Sequence, residues 1–170
     1  MERVIPNFYH GVPGHLKMVE ATFLYNIPLL LGEGNYANLG TCYGRSAVMI
    51  AAGLKESSIS GKVFTIDKVE LGASFFKEKN LLDLIEIKIG TTDEIFEQVK
   101  ELKFNFVFID ADHSYPAVKR DFNNWSTLIK SNGLIAFHDS DVEGVKQVLD
   151  EIVGWKKLGQ IMSLSWWGRE

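Results

Sequence analysis

Two carboxylates and two imidazoles stand where two apolar runs end. The stretch FNFVFID (Phe104–Asp110) leads into Ala111-Asp112-His113, and LIAFHD (Leu134–Asp139) closes on His138-Asp139. If the two runs lie side by side, Asp110, His138 and Asp139 converge. Such a set could ligate a divalent cation: carboxylate oxygens suit Mg or Mn, and a histidine also admits Mn, Fe or Zn. A cation there would bind substrate oxygens and favour an ionised hydroxyl. His113 lies three residues after Asp110, and an unperturbed pKa of about 6.5 suits it to accept a proton near neutral pH. Each residue has a plainer alternative. Asp110 or His113 can cap the following helix, and His138-Asp139 can form a turn. Asp112 reads as polarity at the helix entry, and Lys119, Arg120 and Asp121 as an exposed helix face.

A glycine loop stands at another run end, in ANLGTCYGRSAVMI (Ala37–Ile50). The spacing of Gly40 and Gly44 is one residue short of a nucleoside-triphosphate loop, and Arg45 replaces its lysine. A dinucleotide loop would need glycine where Cys42 stands, so that backbone could approach a pyrophosphate. A nucleoside ligand without pyrophosphate relaxes that demand. Asp67, closing KVFTID (Lys62–Asp67), is placed to bind two ribose hydroxyls. Otherwise the two glycines only shape a tight strand-to-helix turn.

These residues need elements to hold them. The 170 residues suit one domain, with 1–14 as an irregular lead-in, and a hydrophobic share of 46% supports a packed core. Net charge is −4, which argues against a nucleic-acid partner held through phosphates. One cysteine excludes a disulfide framework and points to a reducing, cytoplasmic setting. No apolar run is long enough to span a bilayer, and the first residues lack the apolar core of a signal peptide. Helices are expected over His15–Ile27 (with Leu16, Val19, Phe23 and Ile27 on one face, and Pro28 disturbing its end), Ser46–Leu54, Leu71–Leu81, Asp93–Lys100, Tyr115–Ile129 and Val142–Ile152. Asn132-Gly133 reads as the stop of the fifth, and Ser140 with Glu143 as a capping box for the sixth. Strands are expected over Tyr36–Leu39, Lys62–Asp67, Leu84–Gly90, Phe104–Asp110 and Leu134–Asp139, with two short antiparallel strands in Trp155–Arg169. This alternation implies an α/β, doubly wound, mostly parallel sheet covered on both faces, with ligands beyond the carboxyl ends of its strands.

The stretches NLGTCYGRSAVMIA, VFTID, FVFIDADHSYPAVKRDFNNWSTLIKSNGLIAFHDS and GVKQVLDEI resemble the class I S-adenosylmethionine-dependent methyltransferases. Within these they are similar to the branch of macrocin-type sugar O-methyltransferases and cephalosporin-hydroxylase-like proteins. The resemblance covers about Gly14 to the C-terminus and implies a Rossmann-like seven-stranded sheet ending in an antiparallel hairpin. It implies S-adenosylmethionine as cofactor. Gly40 and Gly44 would pass beneath its methionine part, Ser46 would open the helix facing its carboxylate, Asp67 would hold the ribose, and Thr91 and Thr92 would lie near the adenine. Gly14, Leu16 and Glu20 match the family's helix entry. Asn38 stands where the family usually carries an acid, and Asp110 is counted with both cofactor and metal residues. In this branch Asp110, His138 and Asp139 would hold Mg or Mn, with His113 as the base. The implied reaction is O-methylation of a sugar or other small polar molecule. The alternatives are a non-catalytic nucleoside-binding module and, disfavoured by the missing glycine, an NAD-linked oxidoreductase. A homodimer is the assembly expected from the aromatic termini, with no nucleic-acid or membrane partner.

Overall fold

A computed structural model describes residues 6–170, so the first five residues of the expected lead-in lie outside the described residues. Seven strands form one sheet: β1 (Gly34–Leu39), β2 (Gly61–Asp67), β3 (Ile85–Ile89), β4 (Phe104–Ile109), β5 (Ile129–Phe137), β6 (Trp155–Ile161) and β7 (Leu164–Arg169). Their order is β3-β2-β1-β4-β5-β7-β6. The first five pair in parallel, and β7 runs antiparallel between β5 and β6. The order reverses between β1 and β4, which opens a crevice above their carboxyl ends.

Helices cover both faces. α1 (Pro6–Tyr9), α2 (Met18–Leu31), α3 (Arg45–Glu56) and α4 (Ala73–Glu78) go with one core, which includes Leu24, Tyr36, Met49, Phe76, Phe106 and Phe108. α5 (Thr92–Val99), α6 (Tyr115–Trp125) and α7 (Glu143–Glu151) go with the other, around Leu39, Phe104, Ile109, Trp125 and Phe137. Phe104 and Phe106 serve opposite cores because the register of β4 slips between them, against both β1 and β5. Such a slip reverses the in–out alternation. The intervening Asn105 turns its amide to the end of α2, donating to the carbonyls of Leu31 at 3.0 Å and Glu33 at 2.9 Å.

Several local expectations are corrected by the structure. Residues 6–9 of the lead-in are helical. α2 starts at Met18 rather than His15, and it runs on past Pro28, which lies buried inside it, to Leu31. The helix rotates to bury Ala21, Leu24, Tyr25 and Ile27 while Val19 is exposed, because the backbone of Tyr25 meets α3 at Gly53. The fifth expected helix ends at Trp125, and Asn132-Gly133 fall within β5, where Ile129 already pairs with Phe104. The expected capping box at Ser140 does not form: Val142 caps α7, and the Ser140 N–H donates to the Ser163 carbonyl at 2.8 Å. A capping box stands instead at Thr91 and Glu94, opening α5.

Gly53 is the tightest point of the α2–α3 packing. A Cβ there would lie 2.1 Å from the Tyr25 carbonyl oxygen. Gly53→Ala should therefore destabilise the protein by about 1–3 kcal/mol or more, despite alanine's better helix propensity. Urea denaturation checks this; a variant as stable as the parent would place α2 elsewhere.

Candidate active site

A cavity of about 770 Å³ opens above the crevice, lined from the glycine loop across the ends of β2, β3, β4 and β5. Gly40, at φ +95°, lets the loop after β1 lie against the loop after β4: a Cβ would sit 2.2 Å from the Asp110 carbonyl oxygen. Gly44, at φ +89°, caps α3 and faces Phe76, whose ring a Cβ would meet at 2.2 Å. Both glycines thus answer a demand of the chain itself, and both also line the cavity. Asp67 ties this loop down, its Oδ2 accepting the Cys42 N–H at 2.8 Å.

Segment 13–16, which includes Gly14, forms another wall. Arg45 holds it. Its guanidinium donates to the carbonyls of Val12 at 2.8 Å, Gly14 at 2.7 Å and Leu16 at 3.1 Å, and lies 4.5 Å from the Tyr9 ring centroid. No role for Arg45 follows from the spacing of the glycine loop. The available signal was a cation in the first turn of a helix, where the dipole disfavours it unless it is engaged elsewhere.

The acids and imidazoles do converge. His113 Nε2 lies 3.1 Å from Asp139 Oδ2 and 3.4 Å from Asp110 Oδ1. Asp110, His113 and Asp139 each offer one ligand atom within 4.8 Å of the others, a mixed oxygen and nitrogen set that suits a divalent cation. His138 sits deeper. Its Nδ1 is 3.3 Å from both Asp110 Oδ1 and Asp139 Oδ2, and its Nε2 is 3.3 Å from Glu20 Oε2. Both its ring nitrogens face carboxylates, and it stands behind the Asp110–His113–Asp139 set.

Burial alone would push the Asp110 carboxyl up, but hydrogen bonds from His113 and His138 hold it below its ordinary value. The bond to Asp110 raises His113 against the opposing effect of burial. Burial would lower His138, yet the carboxylates of Asp110, Asp139 and Glu20 lift it to about 9.

Of the other expected residues, Ser46, Thr91 and Thr92 line the cavity, whereas Glu20 and Asn38 do not. Glu20 is buried behind it, accepting from the Lys17 N–H and from both the N–H and the hydroxyl of Ser163. Asn38 is buried beneath the glycine loop, donating to the Gly40 carbonyl at 3.1 Å and to Thr65 Oγ1 at 2.9 Å, with its Oδ1 unpartnered among the described residues. Asp112 serves the helix entry as expected, accepting the Ser114 N–H at 2.8 Å. Asp121 does not belong to an exposed face: it is 1% exposed and lines the cavity, because α6 packs against α5 there.

The sequence pattern of a family described as a methyltransferase domain matches residues 37–140, more than half of the chain. The chain belongs to this family. The resemblance to class I methyltransferases is borne out, as is the mostly parallel sheet with its terminal hairpin. The O-methyltransferase of Bacillus cereus, solved in complex with SAH, superposes with a TM-score of 0.76 at 21% identity, over 93% of this chain and 84% of that one. The O-methyltransferase TomG of Streptomyces achromogenes, solved with SAM, gives 0.74 at 17% identity, over 91% and 81%. Caffeoyl-CoA O-methyltransferase 1 of Eucalyptus globulus is 26% identical over 133 residues, which are 71% of this chain. The chain spans about half the length of that relative.

The methyltransferase-domain chain stores folding energy in His138. Its folded pKa of about 9 exceeds the unfolded value, so its contribution is complete below about pH 6.5 and is lost as pH rises through 9. The size is about 3 kcal/mol, from roughly 2.5 pKa units at 1.36 kcal/mol each. Urea titrations between about pH 6 and pH 10 should show His138→Gln destabilised most at the acid end, with the gap narrowing as pH rises. A gap independent of pH would mean that His138 is neutral in the fold.

Proposed function

We propose that the chain transfers the methyl group of S-adenosylmethionine to a hydroxyl oxygen of a small polar molecule, such as a sugar or a phenol. The observation that carries this reading is one continuous cavity running from the glycine loop and Asp67 to the Asp110–His113–Asp139 cluster. Membership of the methyltransferase-domain family supports it, as do O-methyltransferases among the relatives. The net charge of −4 favours a small-molecule acceptor over a nucleic acid, and the exposed free thiol of Cys42 suits a cytoplasmic setting.

The residues present fit the cofactor. Gly40, Gly44 and Ser46 would take its amino-acid part and Asp67 its ribose. When bound, it supplies an electrophilic methyl group already activated by a sulfonium. The chain's own task is to orient a hydroxyl and remove its proton. His113 takes that proton at Nδ1, while its Nε2 donates to the carboxylates of Asp110 and Asp139, which stabilise the imidazolium that forms. His138 and Glu20 hold the acids in place from behind. A Mg or Mn ion on Asp110 and Asp139 would favour the ionised form of the acceptor.

Labelled methyl transfer to a panel of sugars and catechol-type phenols is the test. Transfer is expected. Cofactor binding without transfer would favour a nucleoside-binding module, and NAD binding in its place an oxidoreductase. His113→Ala should keep cofactor affinity and lower kcat by about 10²–10⁴-fold; turnover at the parent rate would remove His113 as the base. Exhaustive chelation should abolish transfer but not cofactor binding, with Mg or Mn restoring activity. Turnover indifferent to chelation would leave the carboxylates to act on His113 alone.

A further inference from the structure

Segment 110–115, which carries an acid and the base of the cluster, is gripped from both sides by residues without a side chain. On one side Gly40 rests on the Asp110 carbonyl, and a Cβ there would also meet the Cα of Ala111 at 2.9 Å. On the other side stands Gly144, the second residue of α7. A Cβ on Gly144 would lie 2.4 Å from the His113 carbonyl oxygen, 2.6 Å from the Tyr115 nitrogen and 3.0 Å from the Ser114 carbonyl carbon. All three are backbone atoms, which cannot swing aside as a side-chain tip can.

No backbone demand at position 144 calls for glycine. Its φ is not positive, and within a helix glycine is a poorer choice than alanine because it loses more backbone freedom on folding. The contact with 113–115 is what the missing side chain permits. α7 is also held by independent ties. Val145 and Val148 are buried in the second core, and Glu151 at the far end accepts from the Tyr115 hydroxyl and from Lys119, each at 2.8 Å. At the near end the Val142 N–H donates to the Asp139 carbonyl at 2.8 Å. The start of α7 therefore touches both sides of the cluster: a hydrogen bond ties it to Asp139, and Gly144 sets it against His113. Across that gap His113 Nε2 and Asp139 Oδ2 lie 3.1 Å apart.

We propose that Gly144 is a positioning residue for the proton transfer: by carrying no side chain it lets α7 hold the His113 imidazole within reach of Asp139 and Asp110. This rests on the reading of His113 as the base. With a side chain at 144, the loop would have to retreat by about 1 Å to reach ordinary van der Waals contact. His113 already stands 3.4 Å from Asp110, so such a shift would break that contact, and the imidazole would lose the carboxylates that orient it.

Crystal structures of the metal-free parent and of Gly144→Ala test the placement without an acceptor. In the variant the His113–Asp139 separation should exceed hydrogen-bond reach, while His138 keeps its place between Glu20 and the two aspartates. Kinetics test the consequence, with the acceptor that labelled methyl transfer identifies. Gly144→Ala should lower kcat by about 10- to 100-fold, with acceptor KM and S-adenosylhomocysteine affinity each within about twofold of the parent. In a His113→Ala background the same substitution should slow turnover no further, because residues that act as one unit are not additive. A merely structural effect would slow that background too. Val145→Ala, which removes buried packing from the same turn, is the second variant should Gly144→Ala not fold; it should also lower kcat and be silent beside His113→Ala. A variant that keeps the parent's His113–Asp139 separation, turns over at the parent rate or slows His113→Ala further would overturn the proposal while leaving His113 as the base. Turnover by His113→Ala itself at the parent rate would overturn both.

Discussion

The backbone of Gly40 rests on the carbonyl of Asp110 at a distance that no side chain would permit. That contact joins the first strand end to the fourth across the point where strand order reverses. The glycine loop lies on one side of it, with Asp67 anchoring Cys42; the acids and imidazoles lie on the other. A residue with a Cβ at position 40 would have to push these loops apart, and the two halves of the cavity would separate. The glycine therefore does for the protein what the sequence pattern suggested it would do for a ligand. It permits close approach, but the first group to approach is the chain's own backbone.

Much of the architecture was legible because β2 and β4 are strongly apolar and end in polar groups. Alternation with helices then leaves few ways to wind the sheet. The misread boundaries share a cause. Asn132-Gly133 has the composition of a helix stop, yet β5 begins before it because Ile129 pairs with Phe104, and that pairing partner is distant in sequence. Pro28 costs α2 a hydrogen-bond donor, but burial of Leu24, Tyr25 and Ile27 outweighs the local preference. Ser140 has the spacing of a capping box, while its N–H is taken by the β6–β7 turn.

The site was legible by the same rule and to the same depth. Searching strand ends found Asp67, Asp110, His113, His138 and Asp139, all of which line the cavity. What lay beyond the rule was the direction each side chain takes. His138 and His113 both stand near Asp110, and spacing alone could not show that His138 lies deeper, against Glu20. Asp121 falls in a charged triplet that reads as solvated, and only the packing of α6 on α5 buries it. Arg45 follows the glycine loop as a cation would that meets a phosphate, yet it faces the carbonyls of segment 12–16. Each of these depends on a contact between elements far apart in sequence.

The electrostatic design of the cluster follows from its inventory. Glu20, Asp110 and Asp139 supply three carboxylates within reach of His138, which carries one positive charge when protonated, with His113 adjoining two of them. With His138 protonated and His113 neutral, a negative balance remains until a divalent cation offsets it. Glu20 and His138 are almost wholly buried, with side chains 1% and 5% exposed, so salt screens their part of the field poorly. Such a site favours a cationic ligand over its neutral counterpart. Under the proposed chemistry the sulfonium is cationic before transfer, and the thioether left behind is neutral. The field that draws in the reactive form therefore holds the spent form less tightly, and the proton taken by His113 reduces the negative balance further. Under that proposal, binding and release would be biased in the productive direction by the same carboxylates that face His113.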